Sequence, residues 1–317
     1  MKQAGNEFGG VGKSPLMKNV LHQARTFAKI PRPILIRGER GTGKELLATF
    51  IHRQSDRREC AYIPVNCAAF HEDLFLSEMF GHEKGAFTGA TSAKAGKLER
   101  AHQGTLFLDE IANMAKSAQE KLLRVIEYQR FERVGSTREI EVDVRILAAT
   151  NAPLEEMMQK GEFLPDLYDR ISFAELTLPP LRKRRDDIPL LISSIIEQLH
   201  YEVPNLEHKK FSAAAIKELQ AYHWHGNIRQ LKNIVERLYI FDEDGIIQAS
   251  ELPHEITAVE PSGSSFYEKT TAYEKNLLIN ALKDNHGNQR NAAQQLGMSY
   301  DQFRHHFKKY KLADLLA

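Results

Sequence analysis

Around Gly38-Glu39-Arg40-Gly41-Thr42-Gly43-Lys44-Glu45, the sequence passes from an apolar run at 33–37 to an amphipathic run at 46–52. This order predicts a strand, a glycine-rich loop and a helix. The glycines let backbone N–H groups point at phosphate oxygens, and the helix N-terminus adds its positive end. The whole loop is therefore predicted to bind a nucleotide, with Lys44 reaching the β- and γ-phosphates of ATP.

A second strand supplies carboxylates. An apolar run at 104–108 ends in Asp109 and Glu110, as a buried parallel strand would. Asp109 is predicted to hold Mg²⁺, and Glu110 to orient and polarise the attacking water. Taken singly, an acidic pair after a strand more often begins a helix, but the phosphate loop favours the catalytic interpretation. The Ser or Thr that usually holds Mg²⁺ in such a loop is replaced by Glu45, and the role of Thr42 stays open.

Two further apolar runs lead into asparagines, the run at 62–65 into Asn66 and the run at 144–150 into Asn151. The carboxyl ends of parallel strands meet at one edge of a sheet, where such folds bind ligands, so both asparagines are expected near the nucleotide. Asn151 is placed to sense the nucleotide state, and Asn66 to restrain Glu110 until nucleotide is bound. The predicted architecture is a doubly wound α/β domain on a parallel sheet.

The hexapeptide Gly85-Ala86-Phe87-Thr88-Gly89-Ala90 lies between the phosphate loop and the acidic strand. Two glycines flank an aromatic residue, so the segment can change backbone conformation while it presents one large apolar side chain. ATP hydrolysis needs no such loop, which indicates contact with another molecule. By itself, the hexapeptide could equally be a glycine-rich turn closed by a buried phenylalanine.

Composition narrows the function classes. The chain has 317 residues, 43 Lys and Arg against 42 Asp and Glu, and a net charge of +1, so any attraction to nucleic acid must come from a local patch. No apolar run is long enough to cross a bilayer. Cys60 and Cys67 fit neither a disulfide framework nor a zinc site. A reducing, cytoplasmic setting is expected.

The C-terminal part predicts two short helices, at 288–296 and 300–309, joined by a glycine turn at 297–299. In a helix-turn-helix, the second helix enters the major groove of DNA. A solvated basic face on a small helical hairpin is the alternative that charge alone would favour. The predicted DNA-binding residues are Ser299, Tyr300, Gln302, Arg304, His305, Lys308 and Lys309.

With these motifs in this order, the chain resembles the sigma-54-dependent transcriptional activators over about residues 8–255. The similarity extends to the segments 77–83, 121–125, 178–182 and 224–231. The C-terminal module resembles that of the nucleoid protein Fis. The resemblance implies an AAA+ ATPase with an α-helical lid, followed by a small all-α Fis-like domain, with ATP and Mg²⁺ as cofactors. It also implies a homo-oligomer, in which dimers assemble into a hexameric ring.

The resemblance also implies roles for single residues. The Gly85–Ala90 loop would contact sigma-54, assisted by a second loop near 133–136. Arg229 would contact nucleotide from the lid, and Asn66 would be the switch residue paired with Glu110. The implied function is to bind enhancer DNA and to use ATP hydrolysis to remodel the closed complex of sigma-54 RNA polymerase into an open complex. The alternative is a DNA-binding regulator that hydrolyses ATP weakly and does not remodel polymerase.

The domain organisation implied is an ATPase subdomain with the sigma-54 loop at 1–180, a lid at 181–255, a linker at 256–270 and a helix-turn-helix domain at 271–317. The chain reaches the ATPase within its first dozen residues, so it is expected to lack an N-terminal regulatory domain. In architecture it is nearest to the phage-shock activators. We therefore expect control in trans, by a PspA-like repressor protein.

One position departs from the family. These activators usually carry two arginines that reach the neighbouring subunit's γ-phosphate; here Arg170 remains, and Leu164 stands where the first is expected. Loss of one arginine would lower hydrolysis or require a partner subunit that supplies it. Alternatively, Arg170 acts alone.

If the missing arginine limits hydrolysis, Leu164→Arg should raise ATP turnover of the assembled ring, because an arginine finger contributes about 10³–10⁵ in rate. Steady-state ATP hydrolysis measures this. Leu164→Lys is the control, since it adds charge without the planar guanidinium. Unchanged turnover in the arginine variant would mean that Arg170 suffices.

Overall fold

The computed structural model describes residues 12–69, 71–241, 245–257, 271, 274–275, 277–282, 285, 287–310 and 312. They belong to two compact units that divide between 257 and 258. None of the described helices combines the length and apolar character that a bilayer crossing needs. The predicted linker at 256–270 lies outside the described residues except for 256 and 257, and the predicted domain boundaries stay predictions.

The first unit is built on a five-stranded parallel sheet with the order β2-β3-β6-β1-β7. A short antiparallel hairpin, β4–β5, and a two-residue parallel pair, β8–β9, lie outside it. The strands are β1 Ile34–Arg37, β2 Tyr62–Asn66, β3 Thr105–Asp109, β4 Arg130–Glu132, β5 Glu139–Glu141, β6 Arg145–Thr150, β7 Ala174–Thr177, β8 Lys210–Phe211 and β9 Ile246–Ile247.

Helices cover both faces of the sheet and form most of the lid. In the first unit they are α1 Pro15–Ala28, α2 Lys44–Arg53, α3 Glu72–Phe80, α4 Lys97–Arg100, α5 Lys116–Tyr128, α6 Leu154–Gln159, α7 Pro165–Ile171, α8 Ile188–Glu202, α9 Ala213–Ala221, α10 Asn227–Phe241 and α11 His254–Thr257. Short 3₁₀ turns lie at Ile111–Asn113, Leu181–Lys183, Arg185–Asp187 and Ala249–Glu251. In the second unit the bounded helices are α12 Gln289–Gln295 and α13 Tyr300–Lys309.

The burial pattern of the strands explains why both faces of the sheet are covered by helices. In β3, Leu106 and Leu108 pack into one apolar core and Phe107 into another, on the opposite face. Alternate residues of a strand point to opposite faces, so a strand that is apolar throughout must be buried on both. The predicted doubly wound parallel sheet is confirmed. Its register sets Asn66 beside Asp109, at the carboxyl edge.

The lid has its own core around Trp224, which is fully buried and donates through its indole N–H to Leu219 O at 2.7 Å. The predicted helical lid is confirmed, with the β8–β9 pair as an addition that the sequence did not indicate.

In the second unit, α12 and α13 pack through Ala293 and the fully buried Phe303. Gly297 has φ +67° in the turn between them, a conformation that glycine adopts without strain. The helix-turn-helix prediction is confirmed.

Candidate functional site

A cleft of about 340 Å³ opens between the phosphate loop, the end of β3 and the start of α10. It gathers residues that lie far apart in sequence, including the predicted acidic pair and the predicted lid arginine. Its lining consists of Arg40, Gly41, Gly43, Lys44, Glu45, Leu46, Asp109, Glu110, Ile228, Arg229 and Lys232. A larger groove of about 760 Å³ along α5 and the β4–β5 hairpin contains none of the predicted nucleotide residues, so chemistry, and not size, identifies the site.

The phosphate loop has the conformation that its glycines permit. Gly41 and Gly43 have φ of +75° and +101°, and a Cβ on Gly41 would lie 2.4 Å from Gly226 O. Lys44 is buried, and its Nζ lies 3.0 Å from Gly38 O and 3.4 Å from Glu39 O. Burial lowers the pKa of Lys44. A buried ammonium with carbonyl partners suits an anionic ligand such as a nucleotide phosphate.

Glu110 is held in an unusual backbone conformation. Its φ is +53°, in the left-handed region that non-glycine residues rarely adopt. In the amide orientation that satisfies both groups, Asn151 Nδ2 donates to Glu110 Oε2 at 2.6 Å and lies 3.2 Å from Oε1. The backbone N–H of Glu110 donates to Asp109 Oδ1 at 3.0 Å. Strain of this kind clusters at functional sites.

Asn66 does not make the predicted contact. Its Oδ1 accepts a hydrogen bond from Ala68 N at 2.8 Å, in a turn after β2, and the described residues include no Asn66–Glu110 hydrogen bond. Asn151 occupies that position in this structure. The expected Asn66–Glu110 pair is therefore wrong for this conformation, and the switch role of Asn66 stays a prediction.

The oxygen ligands suit Mg²⁺ only together with a nucleotide. Among the described residues, no three His, Cys, Asp or Glu side chains are grouped closely enough to hold a metal. Mg²⁺ in nucleotide sites is typically bound by one or two carboxylates plus substrate phosphates, and Asp109 in the cleft fits that set. The Thr42 hydroxyl is buried and donates to Glu39 O at 2.8 Å, so it closes the loop.

The lid contacts the phosphate loop through two residues, Arg182 and Asn227, to which the sequence analysis assigned no role. Glu39 accepts two hydrogen bonds from Arg182, at 2.8 and 2.6 Å. Asn227, fully buried, donates to Glu39 Oε2 at 3.1 Å and to Arg40 O at 3.0 Å, and accepts from Leu181 N at 2.8 Å. Both residues lie in segments quoted for the family resemblance, but only the tertiary structure reveals their partners.

The Gly85–Ala90 loop is not a turn closed over a buried phenylalanine. Phe87 is 45% exposed, and its ring meets His82 edge to face with 5.0 Å between ring centroids. A hydrogen bond from Gly85 N to Ala90 O, 2.9 Å long, closes the base of the loop. The loop thus presents an aromatic side chain to solvent, and the alternative that the hexapeptide alone allowed is wrong.

The second predicted loop packs against the first. Arg133 forms ion pairs with Glu83 at 3.0 Å and with Glu99 at 2.7 Å, and the hydrogen bond to Glu99 raises the pKa of Arg133. A Cβ on Gly135 would lie 2.7 Å from the Cβ of Ala86. The two loops are therefore in contact, and the backbone hydrogen bonds from Glu83 N to Val134 O and from Val134 N to Gly81 O join their flanks.

The predicted arginine finger lies away from the cleft of its own chain. Arg170, on α7, is 57% exposed and pairs with Glu127 of α5 at 2.8 Å. Leu164 precedes α7 and packs against the core of the sheet. The leucine that replaces the first arginine is thus partly buried against the apolar core.

In the second unit, the side chains of two predicted DNA-binding residues, Ser299 and Gln302, cap the N-terminus of α13. The Ser299 hydroxyl accepts from Gln302 N at 3.3 Å, and Gln302 Oε1 accepts from Ser299 N at 2.9 Å, which is a capping box. Tyr300, Arg304 and Lys308 are exposed at a spacing of four residues, on one face of α13. The exposed residues His305 and Lys309 adjoin that face.

The Glu39–Arg182 pair gives a pH prediction. The hydrogen bond from Arg182 holds the pKa of Glu39 at about 2, against 4.5 for an unperturbed glutamate. The stability it contributes is therefore complete above about pH 4.5 and is lost as the pH falls towards 2. Urea unfolding of wild type and Glu39→Gln should show a stability difference that shrinks in this window. Arg182→Gln should behave alike; a difference that stays constant would contradict the pairing.

Gly135→Ala tests the contact between the loops. The new Cβ should push Ala86 away and open the adjacent backbone, so trypsin should cut faster after the exposed Lys84. Gly161→Ala is the matched control, because Gly161 also has positive φ, +71°, but no neighbour within 4 Å. Equal cleavage rates in the two variants would show that backbone strain alone, and not the loop contact, matters.

Comparisons with known proteins agree with this geometry. The sigma-54 interaction domain family matches residues 11–177, the AAA+ ATPase lid domain family 182–268, and the family of bacterial regulatory proteins of the Fis type 271–310. The Psp operon transcriptional activator of Escherichia coli K12 is 42% identical over 95% of this chain and 98% of its own length. The nitrogen fixation protein AnfA of Azotobacter vinelandii is 40% identical over 91% of this chain but only 55% of its own length.

Among solved structures, NtrX from Brucella abortus in complex with ATP superposes with a TM-score of 0.72 and 36% sequence identity, over 95% of this chain and 68% of that one. A second crystal structure of that protein, in complex with ADP, also gives a TM-score of 0.72. The chain therefore spans nearly all of one relative and about half of another.

Proposed function

The chain belongs to the sigma-54-dependent transcriptional activators, with AAA+ and helix-turn-helix domains, and from that premise we propose that it hydrolyses ATP to remodel sigma-54 RNA polymerase. The observation that carries the proposal is the single cleft that joins Lys44, Glu110 and Arg229, on a domain whose neighbouring loop exposes Phe87. ATP is the substrate and is hydrolysed to ADP and phosphate, while the promoter complex passes from closed to open, in the cytoplasm.

In this proposal, each cleft residue has a distinct task. Lys44 binds the β- and γ-phosphates, and Asp109 holds Mg²⁺, which when bound neutralises charge on the phosphates. Glu110 orients the attacking water, and the hydrogen bond from Asn151 sets the direction of its carboxylate. Arg229 contacts the nucleotide from the lid. A neighbouring subunit of a hexameric ring presents Arg170 to the γ-phosphate.

The route from the cleft to the loop is short. Strand β2 ends at Asn66, next to Asp109; α3, Glu72–Phe80, follows it in the chain and ends at Gly81, shortly before the loop. A change at the γ-phosphate that moves Asn66 or Glu110 would therefore move α3 and the Gly85–Ala90 loop. We propose that Phe87 contacts sigma-54 and that the loop near 133–136 moves with it.

The second unit directs this activity to DNA. We propose that α13 enters the major groove, with Tyr300, Arg304 and His305 towards base edges and Lys308 and Lys309 towards phosphates. Dimers would then bind a roughly palindromic enhancer and assemble into the ring. Control by a PspA-like repressor stays a prediction.

Leu164 favours a second candidate, a regulator that binds nucleotide and DNA but hydrolyses ATP weakly. One of the two expected arginines is absent, and a finger is worth about 10³–10⁵ in rate. The exposed Phe87 weighs against this candidate, because a regulator that does not remodel polymerase has no use for it.

Transcription in vitro from a sigma-54 promoter separates the candidates. Glu110→Gln should bind ATP but hydrolyse it about 10²–10⁴ times more slowly, since it loses general-base assistance. Thr88→Ala should hydrolyse ATP yet form no open complex. Thr91→Ala, just outside the loop and exposed, is the matched control. Open complexes that form normally in both loop and catalytic variants would refute the remodelling function.

A further inference from the structure

Gln119 of α5 has a fully buried side-chain amide, and its hydrogen-bond partners lie outside the helix. Its Nε2 donates to Met114 O at 2.8 Å and to Glu162 O at 3.1 Å. Its Oε1 accepts from Leu164 N at 2.9 Å. Both amide hydrogens and the carbonyl are thus used, and all three partners are backbone groups.

These three bonds join two segments of the proposed active site. Met114 closes the 3₁₀ turn that follows Glu110. Leu164 is the residue immediately before α7, the helix that carries Arg170. One side chain therefore ties the segment that acts on the chain's own nucleotide to the segment that faces the neighbouring subunit.

The C-terminal end of α5 makes a second contact with α7. Glu127, in the last turn of α5, accepts from Arg170 Nε at 3.0 Å. The Nε edge of the guanidinium is thereby occupied, and its Nη1 remains on the opposite side for a further acceptor. Helix α5 thus contacts the α7 segment at two places, the residue before the helix through Gln119 and its arginine through Glu127.

A merely space-filling role does not require an amide here. A methionine would occupy a similar volume without the desolvation of a polar group, whereas a buried amide fixes its partners by distance and angle. Accurate placement of Arg170 matters more here, because Leu164 stands where the first of two arginines is usual. A misplacement of about 1 Å in a positioned catalytic group can reduce the rate about 10²-fold.

We infer that Gln119 is a positioning residue, which together with Glu127 sets the presentation of Arg170 to the nucleotide of the neighbouring subunit. This inference rests on the proposed function, since it needs a ring in which Arg170 acts in trans. Gln119 itself is fully buried and does not line the cleft.

The first test compares Gln119→Met with Glu120→Gln, an exposed neighbour on the same helix. The methionine variant should keep its affinity for a fluorescent ATP analogue and its KM, while kcat falls about 10²-fold. The control should keep both. A kcat within twofold of wild type, or a loss confined to KM, would overturn the inference.

The second test mixes inactive variants. In rings made from Gln119→Met and Glu110→Gln subunits, some sites combine an intact Glu110 with an Arg170 from a subunit whose Gln119 is intact. Such mixtures should therefore hydrolyse ATP faster than the sum of the two variants alone. A purely structural defect, or one that acts on Glu110 of the same chain, gives no such gain.

Mixtures of Arg170→Ala with Glu110→Gln are the positive control. If they gain activity and the Gln119→Met mixtures do not, the inference fails and the proposed function stands. If neither mixture gains, the trans arrangement itself fails, and the inference with it. Should Gln119→Met not fold, Glu127→Gln, which removes only an ion pair at the surface, is judged by the same kcat and mixing criteria.

Discussion

The hydrogen bonds of Asn227 fix the geometry on which the rest of the ATPase unit depends. One buried amide binds Glu39, Arg40 and Leu181, and so attaches the phosphate loop to two parts of the lid. The next residue, Ile228, donates its backbone N–H to Gly41 O at 2.9 Å. These bonds hold the start of α10 against the phosphate loop, and Arg229 of α10 lines the same cleft as Lys44.

We propose that the sheet transmits the change caused by nucleotide binding to the surface of the domain. At its carboxyl edge, Asn66 lies beside Asp109, and Asn151, which follows β6, bonds Glu110. Helices α3 and α5 follow strands β2 and β3 in the chain and end shortly before the Gly85–Ala90 loop and the β4–β5 hairpin, respectively. In this proposal, the close packing of these helices favours transmission of a shift along them.

Most of this fold was predictable, because strands that are apolar throughout, a glycine-rich loop and polar strand ends have simple physical meanings. The cleft residues Lys44, Asp109, Glu110 and Arg229 were predicted and lie together. The roles of Asn227, Gln119 and Arg182 were not predictable, because a buried amide or an ion pair gains its meaning from a partner distant in sequence. Asn66 was assigned a contact that Asn151 makes, since the sequence gives the strand ends but not the side-chain directions.

We propose above all that the state of the nucleotide moves the Gly85–Ala90 loop. Amide hydrogen exchange of the full chain with ADP, and with ADP plus aluminium fluoride, tests it most directly. We expect similar protection of residues 38–45 with either ligand, since both bind there, but different exchange at 81–90. Identical exchange at 81–90, with the phosphate loop protected in both, would contradict it.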